Sequence, residues 1–321
     1  MKLDIPRRLR KRRYVALAVI LLVILLGPYL VPLPRIGETF DPRELAHEES
    51  EFTEVLGLDV HYVRTGEGKT NLVLLHGFGA SLFSWREVMD PLSKDFSVLA
   101  YDRPAFGLTE RPTRGEWGNR NPYSGESQVE LLLNLMDGMA IDQAVLVGHS
   151  AGAAVAVSAA LDHPEKVIGL ILVDPALGSH GGMLRYLRWI PQVRRLTLLL
   201  VRSIPSWGMD ILYDSWYNTS RITDEIVEGY ERPLKADNWD RALAEFTLAE
   251  PVSGIKGRLE EIEIPVLLVT GDSDEIVPTE DTVALADEFK NAEVAVIPRC
   301  GHLPHEERPS LFLKEVMDFL R

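Results

Sequence analysis

Cysteine is nearly missing: Cys300 alone, in a chain of 321 residues, rules out an intramolecular disulfide and any cysteine-built zinc site. Basic residues are scarce relative to acids, with 34 Lys and Arg against 48 Asp and Glu. Seven of those bases (Lys2, Arg7, Arg8, Arg10, Lys11, Arg12 and Arg13) crowd the N-terminus, where Asp4 is the one acid. The body of the chain is therefore more acidic than the net charge of −14 suggests, which argues against nucleic acid as a partner. Internal repeats and low-complexity tracts are absent as well. What is present is a composition 46% hydrophobic and 26% charged, enough for a large core and not that of a disordered chain.

Charge disappears entirely between Tyr14 and Pro34, and Tyr14 to Leu26 is apolar throughout. A helix of roughly 20 residues crosses a bilayer, so residues 14–34 are expected to form an uncleaved transmembrane signal anchor. The basic segment 1–13 would then be cytoplasmic and the rest of the chain extracytoplasmic. The alternatives are a cleaved signal peptide and a peripheral helix, and Leu30-Val31-Pro32-Leu33-Pro34 offers no small-residue cleavage site. Residues 35–50, polar with scattered prolines, read as a linker.

From Glu51 onward, short apolar runs alternate with helical patterns. Leu58 to Arg64 alternates with period two, as a half-exposed edge strand should. Asn71–Leu75, Phe96–Tyr101, Gln143–Val147, Val167–Val173, Pro265–Thr270 and Ala292–Ile297 are continuous apolar runs, as expected of strands covered on both faces. Ser124 reads as a helix N-cap before a stripe of Leu131, Leu132, Leu135, Met136 and Met139. The expected fold class is α/β, with a mostly parallel, doubly wound sheet. The rhythm breaks at about 178–257, where helical patterns such as Met183–Trp189 and Thr223–Tyr230 suggest a helical cap over the carboxyl edge of the sheet.

Gly148-His149-Ser150-Ala151-Gly152 sits between an apolar strand and an Ala/Val-rich helix. Strand, tight turn and helix are the context in which a G-x-S-x-G pattern exposes a serine hydroxyl on a strained elbow. A serine needs a base within hydrogen-bond reach, and a carboxylate to hold that base in the correct tautomer. His302, after the last strand, is the candidate base. For the carboxylate, Asp274 fits the reach of the turn after Pro265–Thr270, Asp272 reads as a turn cap, and Asp174 is a further candidate. The backbone N–H groups of Ala151, at a helix N-terminus, and of Phe78, between Gly77 and Gly79, are the candidate oxyanion donors. His76 is read as holding that loop. Trp85, Trp189, Trp207 and Trp216 are candidates for an acyl pocket, and no cofactor or metal is called for.

The order Ser150, Asp274, His302, with His76-Gly77-Phe78-Gly79 upstream, resembles the α/β-hydrolase fold superfamily from about Glu51 to Arg321. Asp102-Arg103-Pro104-x-Phe106-Gly107 and the GHxPHxExP run from Gly301 to Pro309 are similar to the subgroup with a helical cap between strands six and seven. That resemblance implies an acyl-enzyme on Ser150, with Asp102 and Arg103 bracing the site. It also implies a serine nucleophile in place of the aspartate of epoxide hydrolases and haloalkane dehalogenases. Carboxylic esters, small or lipid-like, are the expected substrates. Hydrolysis of a C–C bond in diketone-type substrates is the alternative, with Arg185, Arg188, Arg194 or Arg195 as the substrate's cationic partner. An inactive hydrolase-like binding protein is the alternative of another class.

Overall fold

The computed structural model describes residues 7–118, 120–178 and 186–321, without the side chains of residues 7–13 and 206. Eight strands form one sheet: β1 (Glu51–Val55), β2 (Leu58–Thr65), β3 (Asn71–Leu75), β4 (Ser97–Tyr101), β5 (Ala144–His149), β6 (Val167–Val173), β7 (Val266–Gly271) and β8 (Ala292–Ile297). Their spatial order is β1-β2-β4-β3-β5-β6-β7-β8. β1, β2 and β4 pair antiparallel, and every pairing from β4 through β8 is parallel.

β5 is buried at every position because helices cover both faces of the sheet. On one face, Leu131, Leu132, Leu135 and Met136 of helix Gly125–Gly138 pack with Ala153, Val155 and Val157 of helix Ala151–Asp162. On the other, Trp85, Val88 and Leu92 pack with Phe312 and Val316 of the C-terminal helix. Ser124 caps its helix by accepting from the Ser127 N–H at 3.2 Å. β2 departs from expectation: it is not the edge strand but lies between β4 and β1. The burial of Val60, His61 and Tyr62 follows from β1, a strand that the alternation of Leu58–Arg64 could not announce.

Among the described residues, four α-helices fill the break between β6 and β7: Pro191–Val201, Ile204–Asp214, Asp224–Glu231 and Trp239–Leu248. Residues 179–185, which include Arg185 and the start of the expected Met183–Trp189 helix, lie outside the described residues. The segment expected as a linker runs along this cap. Phe40 bridges to it, donating to Lys235 O at 2.9 Å and accepting from Asp237 N at 2.8 Å.

The N-terminal expectation is overturned. Helix Arg7–Leu30 forms, but among the described residues no helix is long and apolar enough to cross a membrane. The apolar stretch Tyr14–Leu26 spans about 20 Å at 1.5 Å per residue, against about 30 Å of hydrocarbon. From its end onward, polar side chains of the cap hold the backbone. Gln192 Nε2 donates to Leu25 O at 3.2 Å, Arg195 Nε to Pro28 O at 3.2 Å and Arg195 Nη2 to Val31 O at 3.1 Å. Guanidinium groups at that level do not belong in a hydrocarbon layer. The single-pass topology, with a cytoplasmic N-terminus and an extracytoplasmic body, falls with the span on which it rested.

Candidate active site

Ser150 ends β5 and begins helix Ala151–Asp162 with φ 49° and ψ −117°, a backbone conformation that a non-glycine residue holds only when its surroundings force it. The forcing contacts are visible. Ser150 N donates to Val173 O at 2.9 Å, and Ser150 O accepts from Ala153 N at 3.1 Å and Ala176 N at 3.2 Å. The elbow also needs close backbone approach. A Cβ on Gly152 would lie 2.4 Å from Leu75 O and 2.6 Å from His76 O.

His302 lies in the loop after β8, with its Nδ1 2.7 Å from Asp274 Oδ2. Asp274 follows β7, and its Oδ1 accepts from Ile276 N at 2.8 Å and Val277 N at 3.0 Å. Burial opposes ionisation of Asp274, but the His302 ring and the N–H donors outweigh it and hold the carboxyl below its ordinary range. The loop of His302 is tied to the elbow, since His149 Nε2 donates to His302 O at 2.9 Å and the two rings stand 4.7 Å apart. Burial depresses the basicity of His149, which is therefore neutral. No direct hydrogen bond joins Ser150 Oγ to His302, a looseness common in unliganded sites. Asp272, expected to cap the turn after β7, instead ties it to the loop after β8 by accepting from Cys300 N at 3.2 Å, and the local cap is made by Asp274.

The loop after β3 lies against the elbow, where a Cβ on Gly77 would sit 3.2 Å from Ser150 Cβ. His76 holds this loop as a neutral ring, with Nδ1 on Gly77 O at 2.8 Å and Nε2 accepting from Arg103 N at 3.0 Å. Its pKa is pushed down to about 3 by burial and by the neighbouring Arg103. Ala151 opens its helix, so its N–H has no acceptor inside it, and the Phe78 N–H has none among the described residues. Asp102 is a brace: its carboxylate accepts from Leu82 N at 2.7 Å, Leu108 N at 2.6 Å and the His61 ring at 2.6 Å.

The model of the alpha/beta hydrolase family matches residues 72–315, which run from β3 into the C-terminal helix and contain Ser150, Asp274, His302 and the loop of His76. The chain belongs to the alpha/beta hydrolase family. Among its relatives in that family is an uncharacterised hydrolase, YugF of Bacillus subtilis, 30% identical over 83% of this chain and 95% of its own. Another is a 2-hydroxy-6-oxononadienedioate/2-hydroxy-6-oxononatrienedioate hydrolase of Paraburkholderia phymatum, 30% identical over 82% of this chain and 91% of its own. A solved hydrolase, Est816, an N-acyl homoserine lactone degrading enzyme, superposes with a TM-score of 0.65 at 26% identity over 84% of this chain and 100% of its own. The family accounts for the elbow.

Around this hydrolase site the tryptophans separate. Trp85 is fully buried in the core, its ring 4.3 Å from that of His305, and Trp216 is buried with Leu212, Ile226 and Leu303. Neither is available to an acyl chain, whereas Trp189 and Trp207 are exposed. Sequence reasoning missed Phe246, carried on the cap helix Trp239–Leu248, whose ring centre is 5.9 Å from that of Phe78.

It also missed Glu307. Completely buried, its carboxylate accepts from Gly301 N at 2.9 Å, Tyr217 N at 3.0 Å and Asn218 N at 2.8 Å, while His302 N donates to Ser215 O at 2.8 Å. One carboxylate thus fastens the cap to the loop that carries His302. The signal was the Glu within the GHxPHxExP run, but its partners lie about 90 residues upstream, beyond the reach of local pattern. Glu307→Ala removes the acceptor of one buried N–H, that of Gly301, and of the partly buried N–H groups of Tyr217 and Asn218, so we expect a loss of about 2 kcal/mol or more of stability, read by urea denaturation. Turnover should fall with it, and Glu307→Gln, which keeps one acceptor oxygen, should fall between the two.

Proposed function

We propose that this chain is a serine hydrolase acting on carboxylic esters through an acyl-enzyme on Ser150. The observation that carries the reading is the 2.7 Å contact between His302 Nδ1 and Asp274, on a loop anchored to the elbow of Ser150. In this reading, Ser150 Oγ attacks the acyl carbon and its proton passes to His302 Nε2, while Asp274 holds the Nδ1 proton. The oxyanion accepts from the N–H groups of Phe78 and Ala151. His302 returns the proton to the departing alcohol, and water repeats the sequence to release the acid.

The relatives leave two reaction classes open, since one is a hydrolase of C–C bonds and another degrades a lactone. The cap's arginines favour the ester. A dienoate substrate brings a carboxylate that needs a cation, and Arg188, Arg194 and Arg195, the described arginines expected to supply one, are engaged elsewhere. Arg188 pairs with Glu250 at 2.7 Å, Arg194 pairs with Glu245, Arg195 serves the N-terminal helix, and Arg202 pairs with Asp240 at 2.7 Å. A preference for lipid-like esters had rested on the membrane anchor, and without it no observation supports that preference.

A panel containing p-nitrophenyl butyrate, an acyl lactone and a 2-hydroxy-6-oxodienoate tests the reading. We expect kcat/KM for the ester to exceed that for the dienoate by about a hundredfold, the scale set by an uncompensated buried charge. The reverse order would replace ester hydrolysis with C–C bond cleavage on the same residues.

A further inference from the structure

Asp174 has been given no role by the mechanism above, yet it is fully buried at the carboxyl end of β6. Its backbone is held at φ 43°, outside the ordinary range for a non-glycine residue, which turns the side chain beneath the site. Oδ1 accepts from Gly271 N at 3.3 Å. Oδ2 is shut off from solvent and meets no donor. The groups around it come from four elements: the Thr270 hydroxyl and Gly271 N on β7, the Asp274 carboxylate beyond it, the His149 ring on the elbow, and His302 and the Cys300 thiol in the loop after β8. One atom each of Asp174, His149 and His302 lie within 4.8 Å of one another. The Asp174 and Asp274 carboxyl groups are hydrogen-bond neighbours.

Two carboxylates are acceptors only, and cannot share a hydrogen bond unless one of them carries a proton. Asp274 is the one that stays ionised, because it receives two backbone N–H groups and the His302 ring. The proton therefore belongs on Asp174. We propose that Asp174 is held as a neutral carboxylic acid whose O–H donates to the Asp274 carboxylate, making it a positioning residue for the Asp274–His302 couple. Burial and the adjoining Asp274 charge both favour the neutral form. The bond adds one more anchor to the Asp274 carboxylate and withdraws charge from it. The charge that faces the His302 ring across the 2.7 Å contact is reduced accordingly.

The proposal rests on the reading of Asp274 and His302 as the acid–base pair, and its first test is independent of activity. A difference infrared spectrum between wild type and Asp174→Asn at neutral pH should contain the C=O stretch of a buried carboxylic acid, contributed by the wild type alone. Absence of that band overturns the proposal whatever the enzyme hydrolyses. Asp174→Asn keeps a donor to Asp274, so its kcat/KM should stay within about threefold of wild type and the acid limb of its pH profile should not move. Asp174→Leu removes the donor and leaves the Asp274 charge undiluted. Its kcat should fall by about tenfold or more with KM unchanged, and its acid limb should move to higher pH. Rescue by Asn, together with the moved limb in Leu, distinguishes positioning from mere packing. An unmoved acid limb in Asp174→Leu, or an Asn variant as impaired as Leu, overturns the proposal. If the Leu variant does not fold, the infrared band and the Asn profile decide the matter between them.

Discussion

Ser150→Ala is expected to lower kcat on an activated ester by roughly 10⁴-fold or more, with stability unchanged within about 0.5 kcal/mol. The size follows from the reaction scheme. Without Oγ no acyl-enzyme forms, and only the oxyanion donors and substrate binding remain to act on a water molecule. Stability is spared because the Ser150 side chain makes no hydrogen bond among the described residues, while the backbone contacts to Val173, Ala153 and Ala176 do not involve it. Labelling by a fluorophosphonate should vanish in the same variant. Full activity in Ser150→Ala would remove the proposed mechanism. Labelling of the wild type without turnover of any ester would leave a reactive serine whose substrate lies elsewhere in the panel.

Gly152→Ala should be strongly damaging, because its methyl group would enter the elbow itself. The new Cβ would lie 2.4 Å from Leu75 O and 2.6 Å from His76 O, both backbone atoms at the end of a central strand. Overpacking against a flexible side chain is relieved by a rotamer change; here relief requires moving β3 or the helix that begins at Ala151. We expect a loss of about 3 kcal/mol or more, read as an earlier urea midpoint with the slope unchanged. The displaced atoms lead directly into Gly77 and Phe78, so turnover should fall even in the fraction that folds. A variant with wild-type stability would mean that the elbow adjusts more freely than its contacts imply.

The strands beneath the site were legible because burial on both faces demands uninterrupted apolar runs, as in Leu72–Leu75 and Val167–Val173. Ser150, His302 and Asp274 were legible for a related reason. Each follows a strand, and the parallel order brings the ends of β5, β7 and β8 to one edge of the sheet. The alternation of β2 was misleading about its place, since period two reports a half-covered face and not which neighbour covers the edge. The N-terminal run misled more seriously. Its apolar residues are contiguous in the chain, but the Arg195 side chain that holds the end of its helix comes 167 residues later.

What the sequence determined by itself is therefore the α/β layering, the serine elbow and the membership that both imply. These features depend on residues adjacent in the chain or spaced by the period of one element. Tertiary structure decided the rest: that Glu307 joins the cap to the loop of His302, that Asp174 neighbours Asp274, that Arg188, Arg194 and Arg202 of the cap are paired, and that the first helix is held by the cap. Each of these joins groups far apart in the chain, where no local periodicity records the contact and only the folded geometry sets the distance.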